Sequence, residues 1–487
     1  MNIKNSTMQN NLGELQIFSI TNESAKGKKR IDVEYYQPFF EHIVEKVAES
    51  KFELKKLEDI TLLISNGRTP SKDMYDEDND QDGSVPIIKA GTASGRFVNL
   101  EKLEYAKADF SSGKKAQKKD VFILSAAHQA SYVGKNVSIL DVEPPQDTFF
   151  VGELICVRAN PEKVLPEYLF GFLSSKVGYL LLNREKRGQT SHIYPEDIKS
   201  ILLPVPSLKD QKNIVSILMN AYEQKKKKEA EILKILSSID DFVLGELGID
   251  MPEGGAEQVF QIWSDEIQTR LDPSYFRPTF KMLDKIFLTT KYNVKTLKNL
   301  STKITSGATP LSGGDAYTDQ DSGIPFVRSG NINPDNEIDF NSLIYVKPEI
   351  HNKKLKSSQL KKGDLMIAIV GVTIGQVSVY DNDREANINQ AIALIRLDEQ
   401  VNPEYAKEFL YSKIGQIQLD RIKRPVARAN INLNEVGSLQ IIYPSKDKQN
   451  EMVGKIRKIR AKATELRQEA ESIVVGAEKQ IEQMILA

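Results

Sequence analysis

The chain has 487 residues, more than one ordinary hydrophobic core uses, so about two to four domains are expected. Its 66 Lys and Arg balance 67 Asp and Glu, and the resulting net charge of −1 leaves any binding to nucleic acid to local patches. One cysteine, Cys156, excludes a disulfide framework within a single chain and a Cys-rich zinc site. No apolar run of about 18 residues offers a membrane span.

Residues 1–16 are polar, carry no charged-then-apolar leader, and are expected to form a flexible tail on a cytoplasmic protein. Residues 17–206 mix short β-type runs ("SVPIIKA", "VFILSA", "NVSIL", "ELICVRA") with turn residues and a helical stretch, "PEYLFGFLSSKVGYLLLN". That mixture predicts a globular α/β (mixed α+β) module, with Cys156 in its core. A long proline-free helix follows over 207–247, then a linker at 248–258, a second module over 259–444 and another long helix over 445–487.

Both long segments carry a 4-3 apolar ladder. The C-terminal ladder is Met452, Ile456, Ile459, Ala463, Leu466, Ala470, Ile473, Ala477 and Met484, with Gln480 as its polar break. The central one is Ile214, Leu218, Ala221, Ile232, Ile235, Ile239 and Phe242, interrupted by Lys225 and Lys228 within "EQKKKKEAE". So narrow a stripe fits two helices paired as an antiparallel coiled coil, each about 60 Å long at ~1.5 Å per residue. The lysine run itself reads as a solvated helix face.

The modules are copies of one plan. "ISNGRTPSK" (Ile64–Lys72) recurs as "ITSGATPLS" (Ile304–Ser312), and "IDVEYYQPFF" (Ile31–Phe40) as "LDPSYFRPTF" (Leu271–Phe280). "VPIIKAG" (Val85–Gly91) is answered by "IPFVRSG" (Ile324–Gly330), and "KKDVFIL" (Lys118–Leu124) by "KKGDLMIAI" (Lys361–Ile369). "YVGKNVSIL" (Tyr132–Leu140) pairs with "TIGQVSVY" (Thr373–Tyr380), and "LLPVPSLKDQ" (Leu202–Gln211) with "IIYPSKDKQ" (Ile441–Gln449). A repeat of this length is a duplicated domain rather than a solenoid unit, and it predicts two similar sites. Within the recurring phrase, Gly67 and Gly307 are expected to supply positive φ. Thr69, Pro70, Thr309 and Pro310 complete shaped turns that serve structure.

Catalytic signatures are missing. The Gly-Lys-Ser/Thr of a phosphate loop is absent from both turns, and "EPPQ" (Glu143–Gln146) lacks the ends of a methyltransferase motif. "PEDIK" (Pro195–Lys199) approaches a nuclease pattern, but "NLNEVGS" in the second module has no matching acid and lysine, so it reads as a helix start. His42, His128, His192 and His351 lack metal-ligand spacing, and no metal site is predicted. His42 fits a helix surface, whereas His128 and His192 fall on polar loops. The chain is expected to bind and position rather than to react.

Duplicated α/β modules, each opening with "NGRTPS" or "SGATPL" and each followed by a long helix entered through "PVPSLKDQ" or "YPSKDKQ", resemble the specificity (S) subunit of Type I restriction–modification enzymes. The resemblance covers nearly the whole chain, and the repeated order of motifs carries it. It implies that each module is a target-recognition domain reading one half of a split, asymmetric DNA target. It further implies that the paired helices set the spacer and dock two methyltransferase (M) subunits and the restriction (R) subunits. S-adenosylmethionine, ATP and Mg then belong to those partners, with no cofactor bound directly and no membrane involved. Two alternatives stay open: recognition for another DNA-modification or phage-defence system, and a non-catalytic scaffold binding protein or RNA.

Residue chemistry selects DNA-reading candidates, since Arg and Lys pair with guanine or phosphate, Asn and Gln with adenine, and Thr with either. In the first module these are Lys89, Arg96, Gln129 and Lys135, with Arg184, Arg187, Gln189 and His192 in "REKRGQTSH". In the second they are Arg328, Asn331, Thr373 and Gln376, with Arg421, Arg424, Arg428 and Asn430 around "RIKRPVAR". The acidic loop "DMYDEDNDQDG" (Asp73–Gly83) would repel phosphates.

Overall fold

The computed structural model describes residues 18, 30–76, 83–107, 114–127, 130–145, 147–188, 191–251, 260–263, 270, 272–310, 315–333, 337–424 and 430–486. The expected tail at 1–16 and most of the acidic loop lie outside them. They form two compact units, residues 1–228 with 468–487, and residues 229–467.

In the first unit a four-stranded antiparallel sheet has the order Thr61–Asn66, Leu154–Ala159, Val121–Leu124, Val137–Ile139. Its two inner strands are almost wholly buried because both faces are covered. Val121, Ile123, Ile155 and Val157 face a core shared with the helices Pro38–Ala48, Pro166–Ser174 and Lys176–Arg184. Phe122, Leu124, Leu154 and Cys156 alternate onto the other face, against Ile87, Ile88, Phe149 and Phe150 of a second sheet. The period-2 geometry of a strand thus splits one apolar run between two cores. The second sheet runs Tyr75–Asp76, Glu104–Ala106, Val85–Ile88, Phe149–Phe150, its last pair parallel.

The entry to the central helix, Leu208–Leu247, is fixed by buried polar groups. Gln211 is fully buried; its side chain accepts from Leu165 N at 2.7 Å and donates to Pro206 O at 2.9 Å. The Tyr168 hydroxyl donates to Pro204 O at 2.6 Å, beside the short ladder joining Leu54–Lys56 to Leu202–Pro204. Ile214, Leu218 and Tyr222 then pack with Val474, Ile481 and Ile485, the start of one long helix against the end of the other, Lys446–Leu486.

The second unit repeats the plan. Its main sheet is Ser301–Ser306, Ile392–Leu397, Leu365–Ala368, Val377–Val379, covered by the helices Pro278–Thr289, Pro403–Tyr411 and Lys413–Ile422. Gln449 and Tyr405 hold the positions of Gln211 and Tyr168, binding Asn402 N, Pro444 O and Ile442 O. Ile239, Val243 and Leu247 pack with Met452, Val453 and Ile456, again antiparallel. The second sheet is larger, with Tyr317–Thr318, Ile344–Val346, Ile324–Val327, Ala386–Ile388 and an added strand, Gln359–Leu360.

Two expectations about the helices need correction. Toward the C-terminus the buried line moves from the ladder onto Val474, Ile481 and Ile485, leaving Ile473 and Met484 only half-buried. An α-helix drifts by roughly 20° per heptad against a strict seven-residue repeat, and here the helix packs on a domain core as well as on its partner helix. Nor are all four lysines of the run solvated. Lys225 and Lys228 turn inward to pair with Glu471 at 2.6 Å and Glu469 at 2.5 Å, replacing the missing apolar seam by ion pairs between helices.

Candidate nucleic-acid interface

In each unit the main sheet brings two loops side by side. The strand Val121–Leu124 runs into a 3₁₀ turn at Ala130–Tyr132, and Ser125 O accepts from Ile193 N at 3.0 Å, just past the basic stretch. In the second unit Leu365–Ala368 leads to the 3₁₀ turn Gly371–Thr373, and Ile369 O accepts from Ile431 N at 3.0 Å, again past the basic stretch. Each basic stretch leaves the C-terminus of a helix, Lys176–Arg184 or Lys413–Ile422, and returns along that strand extension. Arg187 and His192 close the first loop with mutual backbone bonds of 2.8 Å, while Val370 bridges Asn430 in the second.

The candidate side chains divide by what already holds them. Arg184 is committed to the fold: it stacks on Tyr35 with its guanidinium carbon 4.2 Å from the ring centroid, donates to Tyr35 O and pairs with Glu41. Arg421 is its counterpart, pairing with Asp284 at 2.8 Å and lying 4.7 Å from the Tyr275 centroid. Asn331 is buried, caps its own turn through Arg328 N, and donates to Ser342 O at 3.0 Å. Arg96 binds Ser174 O at 3.0 Å and Glu478 at 3.1 Å.

Other candidates face solvent. Lys135 and Asn430 are exposed, as is Arg328, whose side chain makes one long bond of 3.4 Å to Ser342 O. Arg187 pairs with Asp197 yet keeps 45% of its side chain exposed, and Arg424, at 46%, pairs with Glu435. His192 stacks on Tyr194, with centroids 6.2 Å apart. Lys89 pairs with Glu104 at 2.9 Å over the Tyr75 ring, and that hydrogen bond raises its pKa. Thr373 and Gln376 are half-buried at the second turn, and the side-chain oxygen of Gln376 has no hydrogen-bond partner. Gln129, Gln189 and Arg428, like His128, lie outside the described residues.

The recurring Gly-x-Thr-Pro turn lies at the far strand of each main sheet, and its glycine acts through space rather than torsion. Neither Gly67 nor Gly307 has positive φ, contrary to expectation. Instead, a Cβ at Gly67 would fall 1.8 Å from Phe150 O, and one at Gly307 would fall 1.9 Å from Ile388 O. Thr69 completes the clasp by donating to Glu153 at 2.7 Å and accepting from Gly152 N at 2.9 Å, and Thr309 bonds Gln390 at the matching place. Pro70 is buried, and Pro310 O accepts from the Tyr317 hydroxyl at 3.1 Å.

Sequence reading missed the residues that hold the basic loops. Arg30 is 5% exposed; it pairs with Asp32 and Glu185 and donates to Glu185 O and to Lys186 O at 2.8 Å. Arg270 repeats this, pairing with Asp272 and donating to Ile422 O at 3.0 Å and Lys423 O at 3.3 Å. Each arginine satisfies carbonyls that a helix C-terminus leaves open, so it fixes the direction in which the basic stretch departs. The signal was an Arg-x-Asp immediately before "VEYYQPFF" and "PSYFRPTF". For Asp32 the Arg30 hydrogen bond lowers the carboxyl pKa; for Asp272 the upward push of burial is outweighed by the Arg270 bond and charge.

Nothing else among the described residues suggests catalysis. Burial pushes the Cys156 thiol well up, which keeps it unreactive. No group of three His, Cys, Asp or Glu could hold a metal ion there, and no described helix is long and apolar enough to cross a membrane.

Residues 49–237 and 290–474 each match the family described as the Type I restriction modification DNA specificity domain. The chain belongs to this family. Its two family domains coincide with the two copies of the plan. The EcoBI specificity subunit of the Type I restriction enzyme of Escherichia coli is 26% identical over 330 residues, which are 65% of this chain and 64% of that one. The chain thus spans slightly under two thirds of that relative's length. Among solved structures, a chain from work on complex assembly and conformational transition of the Type I R-M system is 15% identical, covers 89% of this chain and 96% of its own, and has a TM-score of 0.45. The HsdS subunit of Thermoanaerobacter tengcongensis (15% identical, 90% of this chain and 97% of that one, TM-score 0.33) is also similar. So is the Type I S subunit of M. genitalium (13%, 90% and 96%, TM-score 0.40).

Proposed function

We propose that this specificity-family chain is the DNA-recognition subunit of a Type I restriction–modification complex. Each family domain reads one half of a split double-stranded target. The observation that carries the proposal is the duplication of the site: in both units a 3₁₀ turn and a basic loop lie side by side at one end of the main sheet. The loops differ in residue type while the frame repeats, so the half-sites differ and the target is asymmetric. Arg187, Lys135, Lys89 and His192 act in one half-site, and Arg328, Arg424, Thr373, Gln376 and Asn430 in the other. Arg184, Arg421, Asn331 and Arg96, each engaged by partners within the protein, serve the fold instead.

The chain itself performs no chemistry. Two methyltransferase subunits supply S-adenosylmethionine-dependent adenine methylation, and restriction subunits supply ATP- and Mg-dependent translocation and cleavage. With a net charge of −1, the chain alone gains little from counterion release, so its specific binding at physiological salt is weak without those partners. Mapping modified adenines across the host genome with and without this gene tests the reading. Loss of methylation at one interrupted, asymmetric motif is expected; an unchanged methylome in a host whose partner subunits are expressed would overturn it.

A further inference from the structure

Val372 is the tip of the 3₁₀ turn Gly371–Thr373, and at 106% relative exposure no other large apolar side chain among the described residues is as open. The turn that carries it is firmly built. Gly371 and Gly375 take φ of +80° and +96°, which bends the chain out and back. Gly375 N donates to Ala368 O at 3.2 Å, Ala368 N to Gln376 O at 2.9 Å, and the Gln416 amide to Gly375 O at 3.0 Å. A β-branched residue gains nothing from this position within the fold, since its neighbours leave it wholly in water.

The surroundings show what would cover it. Val370, two residues earlier, bridges to Asn430 at the end of the basic loop. The Lys423 ammonium lies 3.8 Å from where a Cβ on Gly375 would stand and pairs with Asp420 at 2.6 Å, and Arg424, 46% exposed and paired with Glu435, follows it in sequence. An apolar tip on a turn with cations nearby in the chain suits a DNA major groove: phosphates attract the cations, and one feature of the base edges is apolar. That feature is the C5 methyl group of thymine. The corresponding position of the first module is Ser131, exposed and polar, so this device belongs to one half-site only.

Resting on the DNA-recognition reading above, we propose that Val372 specifies a thymine in the half-site of the second module through contact with its C5 methyl. The full-length chain, assembled with its methyltransferase subunits, is used to select duplexes from a randomised library. Each thymine of the selected motif is then replaced in turn by deoxyuridine, which removes only that methyl. At one thymine, in one half-site, the replacement should weaken binding about fourfold, the effect of one buried methyl-sized group. Val372→Ser, which puts the residue of the first module at this position, should bind the thymine duplex as weakly as the deoxyuridine duplex and lose the discrimination, whereas Val372→Thr, which keeps one methyl, should retain part of it. Ser131→Ala should leave the discrimination unchanged. The proposal is overturned by equal binding of thymine and deoxyuridine at every position, by a motif with no thymine in either half-site, or by Val372→Ser weakening both duplexes equally. Selection of no split motif overturns the DNA-recognition reading itself.

Discussion

The two modules share a frame to the level of single hydrogen bonds and part company away from it. In both, a buried aspartate at the start of an inner strand pairs with an arginine on the neighbouring strand: Asp120 with Arg158 at 2.7 Å, Asp364 with Arg396 at 2.6 Å. Both use a glutamine to hold the entry to a long helix and an Arg-x-Asp to hold a basic loop. Beyond the second sheet they differ. Among the described residues the second module has a short helix, Pro348–Asn352, and a further strand, Gln359–Leu360, without counterparts in the first, and it anchors them with His351, which is 1% exposed and 2.6 Å from Asn387. Duplication has preserved what fixes the loops and released what surrounds them, the arrangement expected when two sites must be built alike yet read differently.

The largest effect should come from the clasp. Gly67→Ala forces a Cβ against a backbone carbonyl and should cost at least about 3 kcal/mol in the first unit; Gly307→Ala should do the same in the second. Hydrogen exchange followed by mass spectrometry reads the units separately, and each substitution should raise exchange in its own unit alone. Uniform protection in both variants would show the clasp to be dispensable.

Asp120→Ala and Asp364→Ala come next. Each strands a half-buried guanidinium, at a cost of about 2–3 kcal/mol by thermal unfolding, slightly below the range for fully buried pairs. A much smaller cost in one module would break the equivalence of the frames. His351→Ala sharpens the contrast instead, since it leaves the Asn387 amide short of a partner in the second unit only. About 1–2 kcal/mol is expected there, with no change in the first.

Acid should act on both units in the same direction. Asp32 and Asp272 have pKa values held below the ordinary 3.8, so the stability they confer is complete above that value and is lost as pH falls through their folded-state values. An acid titration should therefore loosen the basic loops below about pH 4, and Asp32→Asn with Asp272→Asn should remove that part of the pH dependence. The smallest effect lies at the helix seam. Lys225 and Glu471 are 26% and 60% exposed, so Lys225→Met should shift stability by no more than about 1 kcal/mol in either direction.

The duplication, the mixed α/β character of each module and the long helices were all legible in sequence, because repetition and apolar periodicity are properties of the chain itself. The nature of Gly67 was not: a glycine two residues before a threonine reads the same whether it serves torsion or close approach. Nor could sequence show that Arg184 and Arg421 spend their charge on Asp or Glu and aromatic partners well over one hundred positions away. Basic runs report how much charge is present, while the tertiary fold decides which cations remain outward. Arg30 and Arg270 escaped for the opposite reason, each being a single polar residue whose meaning depends on carbonyls 155 and 152 positions further on.

The first unit closes its core with residues 468–487. Val474, Ile481 and Ile485 complete a cluster otherwise formed by the N-terminal half, Lys46 pairs with Glu482 at 3.0 Å, and the Ser50 hydroxyl donates to Ile485 O at 2.5 Å. During synthesis, therefore, the domain made first is the one that must wait longest. The second unit can assemble from the continuous stretch 229–467, whereas the first stays open until residues 468–487 have been made. A truncation before residue 468 would spare the later-made unit and cripple the earlier.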